Sequence, residues 1–493
     1  MLAIKDSSIG KAVAAMALVV SLAVALVNCG GTAQFSSNPP TGTIRVSVSD
    51  PPPCKFPNGM FKHVYVSIRS VQAHTSSTAG DSAPGWQELA PQLAQTPVQM
   101  DLLSQSATAC TLGSLGSNTA LPVGNYQQIR LILVPNTPGA SDPKPAANSC
   151  GSQGFNCVVL SDDSVHQIEL SSQANTGLKI PPGQVVGGPI TVGDGQTVDL
   201  NIDFNTCSML IQQGNGKFRL KPTLTAGQVS QQTSALSGQV VDSTTQQPVP
   251  NGTFIVALEQ TDSTGVNHIL MQSNTDANGN FTFCPLPMGT FDVVVAGHAN
   301  GRSFGPTVLL GVSTGVSLAK IPVAGETAAT PLGPATIMGT ATASSGTPPT
   351  TTGFTADVAL SALQTITLSG GGTRKVAIPL EAMNSTPVVS TAAGATCPAG
   401  TNCADYKLIV PASNPSVGTF SMGGTTFAAP AAGGVLYSVE GRTTIPQTSM
   451  TNAGAATCSP STQIIDKDAT DLPLNVLGGA SVTAKRMDFT ACT

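Results

Sequence analysis

The sequence GTIRVSVSD spans residues 42–50, and its apolar and polar residues alternate. The isoleucine and the two valines would lie on one face of a β-strand, because successive side chains of a strand point to opposite faces. The same alternation returns in VYVSIRSVQAH at residues 64–74 and in QIRLIL at residues 128–133. We expect strands that bury one face and expose the other to water.

Turn-forming residues separate these runs at short intervals, since the chain contains 51 Gly and 37 Pro. No long segment with the 3.6-residue period of a helix follows the first thirty residues. This pattern predicts an all-β protein built of tandem antiparallel β-sandwiches of the immunoglobulin-like or prealbumin-like kind, after a cleaved signal peptide. The length of 493 residues suggests about three domains.

The charge balance excludes one class of function. The chain has 21 Lys and Arg against 26 Asp and Glu, a formal net charge of −5, and only 10% of its residues are charged. Nucleic-acid binding needs a basic surface to neutralise phosphates, so no nucleic-acid partner is expected. Hydrophobic residues make up 40% of the chain, which is enough to form cores and argues against disorder.

The N-terminal residues have the pattern of an export signal. Lys5 and Lys11 precede an apolar run at residues 12–27, which is shorter than the roughly 20 residues that a membrane-spanning helix needs. A signal peptide therefore fits better than a permanent transmembrane anchor.

The run ends in LVNCGG at residues 26–31, which resembles a bacterial lipobox. The resemblance implies cleavage before Cys29, acylation of its sulfur, and stable attachment to a membrane through two or more acyl chains. Asn28 departs from the small residue usual at that position, and ordinary secretion with Cys29 as a free thiol is the alternative. We expect a signal peptide at residues 1–28, a flexible tether at 29–41, and lipid anchoring at the outer membrane or cell surface.

The first domain is expected at residues 42–229. Besides the strands above, it contains TGLKI at 176–180, VDLNIDF at 198–204 and GNGKFRLKPTL at 214–224. Together these stretches resemble the bacterial lipoprotein domain DUF4382, which has no known function. The resemblance implies an exported β domain and supplies no activity.

The second domain is expected at residues 235–325. The segments SGQVVD, PNGTFIVALE, TDANGNFTF and LPMGTFDVVV follow one another there, an order that resembles the carboxypeptidase regulatory-like domain, a sandwich akin to transthyretin and starch-binding domains. The resemblance implies an accessory module for spacing, binding or stability. Related pilin domains carry a Lys–Asn isopeptide bond, but Lys320 is the only lysine here and lies at the end of the domain, so no cross-link is expected.

The third domain is expected at residues 333–493. IMGTATASSG at 337–346 and ADVALSAL at 356–363 faintly repeat the opening of the second domain, which suggests a diverged second sandwich. A stretch rich in Pro, Gly, Ser and Thr at residues 341–353 predicts a stalk leading into it.

The cysteine count supports export. Eleven cysteines less the lipid-bearing Cys29 leave an even ten, as expected for disulfides in an oxidising compartment. Cys150 and Cys157 flank a short loop, as do Cys397 and Cys403, so each pair is expected to form a disulfide. Metal binding is the weaker alternative for these two pairs, because neither has a partner CxxC or a histidine nearby. The five expected pairs are Cys54–Cys110, Cys150–Cys157, Cys397–Cys403, Cys458–Cys492 and, across two domains, Cys207–Cys284.

Two polar patterns are weak candidates for a calcium site. Asp276 and Asn278 lie in DANGN, a spacing that can ligate calcium, although Asn-Gly between apolar runs is primarily a hairpin signal. Asp199, Asp203 and the asparagines at 201 and 205 alternate along one strand. They could bind calcium or sugar hydroxyls, or act as a glycosidase carboxylate pair, but a solvated outer strand face explains them fully.

The sequence contains no recognisable set of catalytic residues. The five histidines do not form a HExxH zinc motif. The GxSxG pattern around Ser313 has no following histidine and no helix signal, so it indicates a Gly-rich strand connection. Trp86, Tyr65 and Tyr126 could stack on sugars, but only 4% of the residues are aromatic, and packing is the more ordinary role for each.

These observations favour a non-enzymatic exported lipoprotein that serves envelope binding, adhesion or structural display. No cofactor is expected, and an envelope protein or polysaccharide is the expected partner. The alternative is an array of carbohydrate-binding modules, which a flat aromatic cluster on one sandwich face would support. A hydrolase ranks third, because it would need clustered carboxylates or a Ser/His pair in a cleft.

Overall fold

Strands form nearly all of the regular structure. The computed structural model describes the following residues: 39–49, 60–77, 79–80, 82–104, 112–170, 177–180, 185–186, 188–204, 206–212, 218–220, 224–229, 235–283, 286, 289–300, 302–325, 333–346, 350–380, 385–431, 434–444 and 458–493. Residues Thr41–Thr493 form one compact unit. No helix within the described ranges is long and apolar enough to cross a membrane; the apolar run at 12–27 lies outside them.

Sixteen strands come from the first expected domain: β1 (Thr41–Ser49), β2 (Phe61–His74), β3 (Gln87–Glu88), β4 (Val98–Asp101), β5 (Gly113–Pro122), β6 (Gly124–Tyr126), β7 (Gln128–Leu133), β8 (Cys157–Leu160), β9 (Val165–Glu169), β10 (Leu178–Ile180), β11 (Val185–Val186), β12 (Ile190–Val192), β13 (Thr197–Phe204), β14 (Leu210–Gln212), β15 (Phe218–Leu220) and β16 (Leu224–Val229). A four-residue helix, α1 (Thr206–Met209), precedes β14. Single 3-10 turns lie at Pro91–Ala94, Leu102–Ser104 and Gly151–Gln153.

These strands form two main sheets around one hydrophobic core. The first sheet has the order β11-β16-β13-β1-β5, and the second contains β2, β7, β8, β9, β10, β14 and β15 with β3 and β4 attached to β2. Ile44, Val46 and Val48 all point into this core, as the alternation predicts.

Strand β7 departs from the expected alternation, because all six of its residues are buried. Its polar residues Gln128 and Arg130 are only 7% and 9% exposed. The guanidinium of Arg130 lies 4.1 Å from the centre of the Trp86 ring. The face expected to be solvated is therefore covered, partly by an aromatic side chain far away in the sequence.

The second expected domain contributes seven strands: β17 (Leu236–Asp242), β18 (Gly252–Thr261), β19 (Asn267–Asn274), β20 (Asn280–Phe283), β21 (Thr290–Ala299), β22 (Arg302–Ser313) and β23 (Ser317–Val323). The three-stranded sheet β20-β17-β23 faces a six-stranded sheet of order β19-β18-β21-β22-β30-β31. The last two strands of that larger sheet come from the third expected domain.

Thirteen strands come from the third expected domain: β24 (Ala335–Ser345), β25 (Thr352–Gly353), β26 (Asp357–Thr367), β27 (Thr373–Ile378), β28 (Val388–Ser390), β29 (Asn402–Val410), β30 (Ser416–Thr419), β31 (Phe427–Ala428), β32 (Val435–Thr444), β33 (Thr462–Ile465), β34 (Asn475–Val476), β35 (Ser481–Thr483) and β36 (Met487–Phe489). One sheet centres on β24 and β29, the other on β26 and β32, with one core between them.

The six-stranded sheet is the middle layer of a stack, and we call it the middle sheet. Phe254, Val256 and Leu258 of β18 belong to the core shared with the three-stranded sheet. Val294 and Leu310, from neighbouring strands, belong to the core of the third domain. Because the middle sheet is covered on both faces, its strands are near-continuous runs of buried residues.

A continuous backbone ladder joins the second and third domains. Strand β30 pairs in parallel with β22, from Thr307 opposite Ser416 to Leu310 opposite Thr419. Parallel pairs also join β1 with β13 and β17 with β23. The protein is all-β as expected, but its sheets are mixed rather than purely antiparallel.

The stalk expected at residues 341–353 is wrong where the structure describes those residues. Ala341–Ser345 continue strand β24, and Ala341 and Ala343 are fully buried. Strand β25 folds back on β24, with Thr352 opposite Ser345. The alanines of β24 are packed in the core, where there is little space for larger side chains. This packing, and not a linker, accounts for the small residues of the segment.

Candidate functional site between the middle sheet and the third domain

Two acidic residues face each other at the end of the middle sheet. Glu259 of β18 and Asp292 of β21 are direct partners in an antiparallel pair, so their side chains leave the sheet on the same face. That face packs against β27, whose residue Ala377 donates its N–H to Glu259 Oε2 at 3.3 Å. The chain therefore buries two carboxyl groups between layers of different domains.

Asp292 is fully supplied with hydrogen-bond donors. Its Oδ2 accepts from Arg374 Nη1 of β27 at 2.5 Å and from Asn267 Nδ2 of β19 at 2.8 Å. Its Oδ1 accepts from the N–H of Gly311 in β22 at 2.9 Å. A cation and two neutral donors from three strands thus hold this carboxyl group in place.

Glu259 has the opposite environment. It is 0% exposed, and its Oε1 has no hydrogen-bond partner among the described residues. Burial raises the pKa of its carboxyl well above the usual range, and the nearby charge of Asp292 raises this pKa further, against hydrogen bonds from Asn267 and Ala377 that lower it. The environment of Glu259 therefore favours the protonated form of its carboxyl group more strongly than water does.

A cleft of about 400 Å³ opens beside this pair of carboxyl groups. The middle sheet supplies most of its wall, and the turn between β26 and β27 supplies the rest. Its lining residues are Glu259, Gln260, Thr261, Thr290, Asp292, Leu310, Gly311, Leu368, Ser369, Arg374 and Thr419. The cleft contains hydrogen-bonding groups of several kinds and one cation, which makes it the best candidate for ligand binding in the described part of the chain.

A second charged network links the same two layers farther along β19. His268 Nε2 lies 2.9 Å from Asp262 Oδ2, and His268 Nδ1 lies 3.4 Å from Glu440 Oε2 of β32. Arg442 Nε bonds Glu440 Oε1 at 3.1 Å, and its Nη2 lies 3.7 Å from Asp262 Oδ2. These four residues form an ion network between the second and third domains.

Both carboxylates of this network are held in the ionised state. Burial tends to raise the pKa of Glu440, but His268 and Arg442 outweigh it and lower this pKa. Burial likewise opposes ionisation of Asp262, while hydrogen bonds from Thr264, His268 and backbone N–H groups lower its pKa well below the usual range.

The alternating polar residues of β13 predicted a solvated outer face of the strand. This prediction is wrong, because that face is buried. Asn201 and Asp203 are each 4% exposed. Ser49 donates to Asp203 Oδ1 at 2.6 Å, and Asn201 Nδ2 donates to Ser49 Oγ at 2.8 Å. Only Asp199, which lies 3.6 Å from Arg45 Nη1, keeps part of its side chain in solvent; residue 205 lies outside the described ranges.

Asp203 is a second buried acid. Its Oδ2 has no partner among the residues that the structure describes. Burial raises its pKa to about 8, against a hydrogen bond from Ser49 that lowers it. This raised pKa could not be predicted from the sequence, because alternation alone does not reveal what covers the second face of a strand.

Asp276 and Asn278 form a plain turn between β19 and β20. Asp276 Oδ1 accepts from the N–H groups of Asn278 and Asn280 at 2.9 and 2.7 Å, and Oδ2 accepts from Asn280 Nδ2 at 3.0 Å. Of the Asn-Gly pair, only Gly279 has a positive φ, of 76°. Both carboxylate oxygens of Asp276 thus stabilise the turn itself.

No group of three or more His, Cys, Asp or Glu residues with metal-site geometry occurs in the described ranges. Ser313 of the GxSxG pattern is exposed at the end of β22, and the turn to β23 contains Gly315 with a φ of 81°. A strand connection therefore describes that segment.

The candidate aromatic platforms are engaged in packing. Arg130 covers one face of Trp86, and the ring of His74 meets its edge with centroids 5.2 Å apart. Tyr65 stacks on His63, and Tyr126 is buried with its hydroxyl bonded to the Pro122 carbonyl. No aromatic residue is among the exposed large hydrophobic residues of the described ranges.

Three of the expected cysteine pairs are disulfides in the structure: Cys150–Cys157, Cys397–Cys403 and Cys458–Cys492. Cys29, Cys54, Cys110 and Cys284 lie outside the described ranges. Cys207 lies in α1, and its side chain is likewise outside what is described. The other two expected pairs and the lipid site therefore remain predictions.

The Glu259–Asp292 pair was missed in the sequence, although one signal was present. The runs FIVALE at 254–259 and FDVVVA at 291–296 each contain one acid beside four or more consecutive apolar residues. Such a run is typical of a strand buried on both faces, which places the acid in an interior.

Comparison with known proteins supports the first domain only. Residues 41–222 match the family described as "Domain of unknown function (DUF4382)", which confirms the resemblance found in the sequence. No curated protein is similar enough to this chain to count as a match.

Solved structures give distant likenesses. The TIE protein of Bacillus anthracis is 10% identical with a TM-score of 0.15, over 91% of this chain and 51% of that one. The minor pilin GBS52 of Streptococcus agalactiae is 8% identical with a TM-score of 0.17, over 52% and 95% of the two chains. A DUF3823 family protein of Bacteroides uniformis is 11% identical with a TM-score of 0.15, over 45% and 94%. Likeness at this level carries no argument about function.

Proposed function

We propose that this protein is an exported, non-enzymatic structural protein of the bacterial cell envelope, attached to a membrane through a lipid on Cys29. The observation that carries the proposal is the middle sheet. It belongs to two domains at once and is covered on both faces, so residues 235–493 would move as one rigid body. A rigid body on a tether is suited to displaying a surface away from a membrane.

The disulfides support the export part of the proposal. Cys150–Cys157, Cys397–Cys403 and Cys458–Cys492 are distributed over the first and third domains. Such bonds persist in oxidising compartments and are rare in the bacterial cytoplasm.

The charged groups between the layers have a structural explanation as well. Arg374 and Asp292 come from different domains and meet at 2.5 Å. Glu440 and His268 of the second network also come from different domains and lie 3.4 Å apart. Buried ion pairs of this kind can fix the register of two packed layers. This role needs no substrate and agrees with a non-enzymatic function.

Anchoring is tested by labelling cells with a radioactive or clickable fatty acid and separating membranes from soluble fractions. The wild-type protein should carry the label and sediment with membranes. Cys29→Ser should lose the label and appear in the soluble fraction, with Cys207→Ser as a matched control that keeps both properties. A labelled or membrane-bound Cys29→Ser protein would contradict the lipid anchor.

The rigid body is tested by truncation. Residues 235–325 alone should be aggregation-prone and digested quickly by protease, because Val294 and Leu310 lose their cover. Residues 235–493 should resist protease and unfold in one transition. A stable, soluble 235–325 fragment, or two separate transitions in the longer fragment, would contradict the proposal.

A further inference from the structure

The cleft beside Glu259 and Asp292 has the dimensions of a small-molecule site. Its volume of about 400 Å³ lies within the range of roughly 300–1,000 Å³ usual for ligand pockets. It is bounded by the ends of β18 and β30 and by the turn that joins β26 to β27, where Gly371 and Gly372 have positive φ angles of 86° and 83°. With β21 and β22, which also contribute to the wall, five segments therefore converge on one space.

Both carboxylate oxygens of Asp292 are already used as acceptors. Both oxygens of Asp292 accept hydrogen bonds, from Arg374, Asn267 and Gly311. An incoming cation would find no free carboxylate oxygen on this residue, and it would lie near the guanidinium of Arg374. The cleft is thus poorly matched to an amine or a metal ion.

Donor groups, by contrast, remain available. Among the described residues only Nη1 of the Arg374 guanidinium has a partner, and the side chain is 26% exposed at the cleft. Glu259 also lines the cleft, and its buried Oε1 has no partner there. Its other oxygen accepts from Ala377, and burial raises the pKa of this carboxyl group, which reduces its repulsion of an anion in the cleft. An arginine fork with an unpartnered edge at the cleft matches a carboxylate.

The rest of the lining matches hydroxyl groups. Gln260, Thr290, Ser369 and Thr419 supply amide and hydroxyl groups that can both donate and accept, and the Thr261 hydroxyl, which donates to Asn267 Oδ1 at 2.6 Å, can still accept. Two leucines of the lining, Leu310 and Leu368, offer apolar surface for C–H groups. No aromatic ring from the described residues lines the cleft, so recognition would rest on hydrogen bonds and charge.

We propose that this cleft binds a single acidic sugar residue, a ring that carries one carboxylate and several hydroxyl groups. The carboxylate pairs with the free edge of the Arg374 guanidinium. The hydroxyls bond the threonine, serine and glutamine side chains around it. The proposal stands apart from the structural role above, since a rigid envelope protein needs no ligand here.

The first experiment compares three sugars that differ mainly in charge: glucuronate, glucose and glucosamine. Binding to the full mature chain is measured by calorimetry or by ligand-observed NMR. Glucuronate should bind at least ten-fold more tightly than either of the others. Equal binding of glucose, tighter binding of glucosamine, or no binding of any of them up to high millimolar concentrations would overturn the proposal.

A second set of ligands separates the sugar from the carboxylate. Acetate and N-acetylglutamate carry the carboxylate without the ring of hydroxyls, and they should bind at least ten-fold more weakly than glucuronate. If N-acetylglutamate bound as tightly as glucuronate, the site would be one for acidic peptides, and the sugar assignment would be wrong.

Variants link the binding to the cleft. Arg374→Lys keeps a positive charge for Asp292 but removes the planar fork, and it should weaken glucuronate binding five- to ten-fold. Arg442→Lys makes the same change in the second network, outside the cleft, and should leave affinity unchanged. Ser369→Tyr fills the exposed rim without touching the buried pair and should abolish binding at an unchanged melting temperature. Undiminished binding by both cleft variants would overturn the proposal.

Discussion

Glu259 and Asp292 lie directly opposite each other on adjacent antiparallel strands, yet among the described residues only Asp292 has a cationic partner, Arg374 Nη1 at 2.5 Å. Two like charges at this spacing in an interior would repel strongly. The contacts reduce this repulsion, because a guanidinium pairs with Asp292 while burial raises the pKa of Glu259. The asymmetry comes from the third domain, because Arg374 belongs to β27.

Glu259→Gln should make the protein more resistant to alkali. The folded pKa of Glu259 lies above its unfolded value, so its contribution to stability is complete at low pH and is lost as pH rises through the folded pKa. Glutamine has no such loss and keeps a donor and an acceptor. Melting temperatures between pH 5 and 10 should diverge in favour of the variant as pH rises.

If the melting temperatures of wild type and Glu259→Gln differed by the same amount at every pH between 5 and 10, the raised pKa of Glu259 would be contradicted. Gln260→Glu, at the next position of β18, is the matched control, because it changes the charge on the partly exposed side of the same strand. This variant should not gain melting temperature relative to the wild type as pH rises.

Asp203→Asn, in the first domain, should likewise become more stable relative to the wild type as pH rises. The pKa of Asp203 is raised to about 8, so the wild type should lose stability relative to the variant between about pH 4 and pH 8, by at most roughly 1.4 kcal/mol per pH unit. The difference should level off above pH 8. Chemical denaturation at pH 5, 7 and 9 measures it, and Asp199→Asn, on the same strand but partly exposed, is the control.

A constant difference between Asp203→Asn and wild type at these three pH values would show that Asp203 does not change its protonation on unfolding. In that case the hydrogen bond from Ser49 would account for the whole effect of the substitution.

Glu440→Gln should reduce the acid sensitivity of the third domain. The pKa of Glu440 is lowered by His268 and Arg442 against burial, so its contribution is present at neutral pH and is lost as pH falls through the folded pKa. At pH 7 the variant should be less stable by about 2 kcal/mol, since it loses charged hydrogen bonds. The difference should shrink as pH falls through the folded pKa of Glu440. A difference that stays constant from pH 7 down to acid unfolding would contradict the assignment.

Removal of the Cys458–Cys492 disulfide should cost more than removal of either short-loop disulfide. It spans 34 residues, against 7 for Cys150–Cys157. Loop-closure entropy gives about 4 kcal/mol for the longer loop and about 2.5 kcal/mol for the shorter one. Paired Cys→Ser variants and urea denaturation measure the difference, and peptide mapping without reduction verifies each bond. A larger loss from the seven-residue loop would contradict this order.

The sequence by itself determined the class of the fold and several local features. Alternation at Ile44, Val46 and Val48 specified a strand and its buried face, because side-chain direction in a strand depends only on position along the chain. The turn at Asp276 and the disulfide between Cys150 and Cys157 were equally local. Each depends on residues that are neighbours in the sequence.

The tertiary structure alone decided what covers each strand. Asn201 and Asp203 share the face that alternation marks as polar, but that face is buried in the folded unit. Glu259 is covered, and Asp292 paired with a guanidinium, by residues of β27 that lie 118 and 82 residues farther along the chain. Burial and charge pairing depend on distances between remote segments, and the period of a sequence contains no information about those distances.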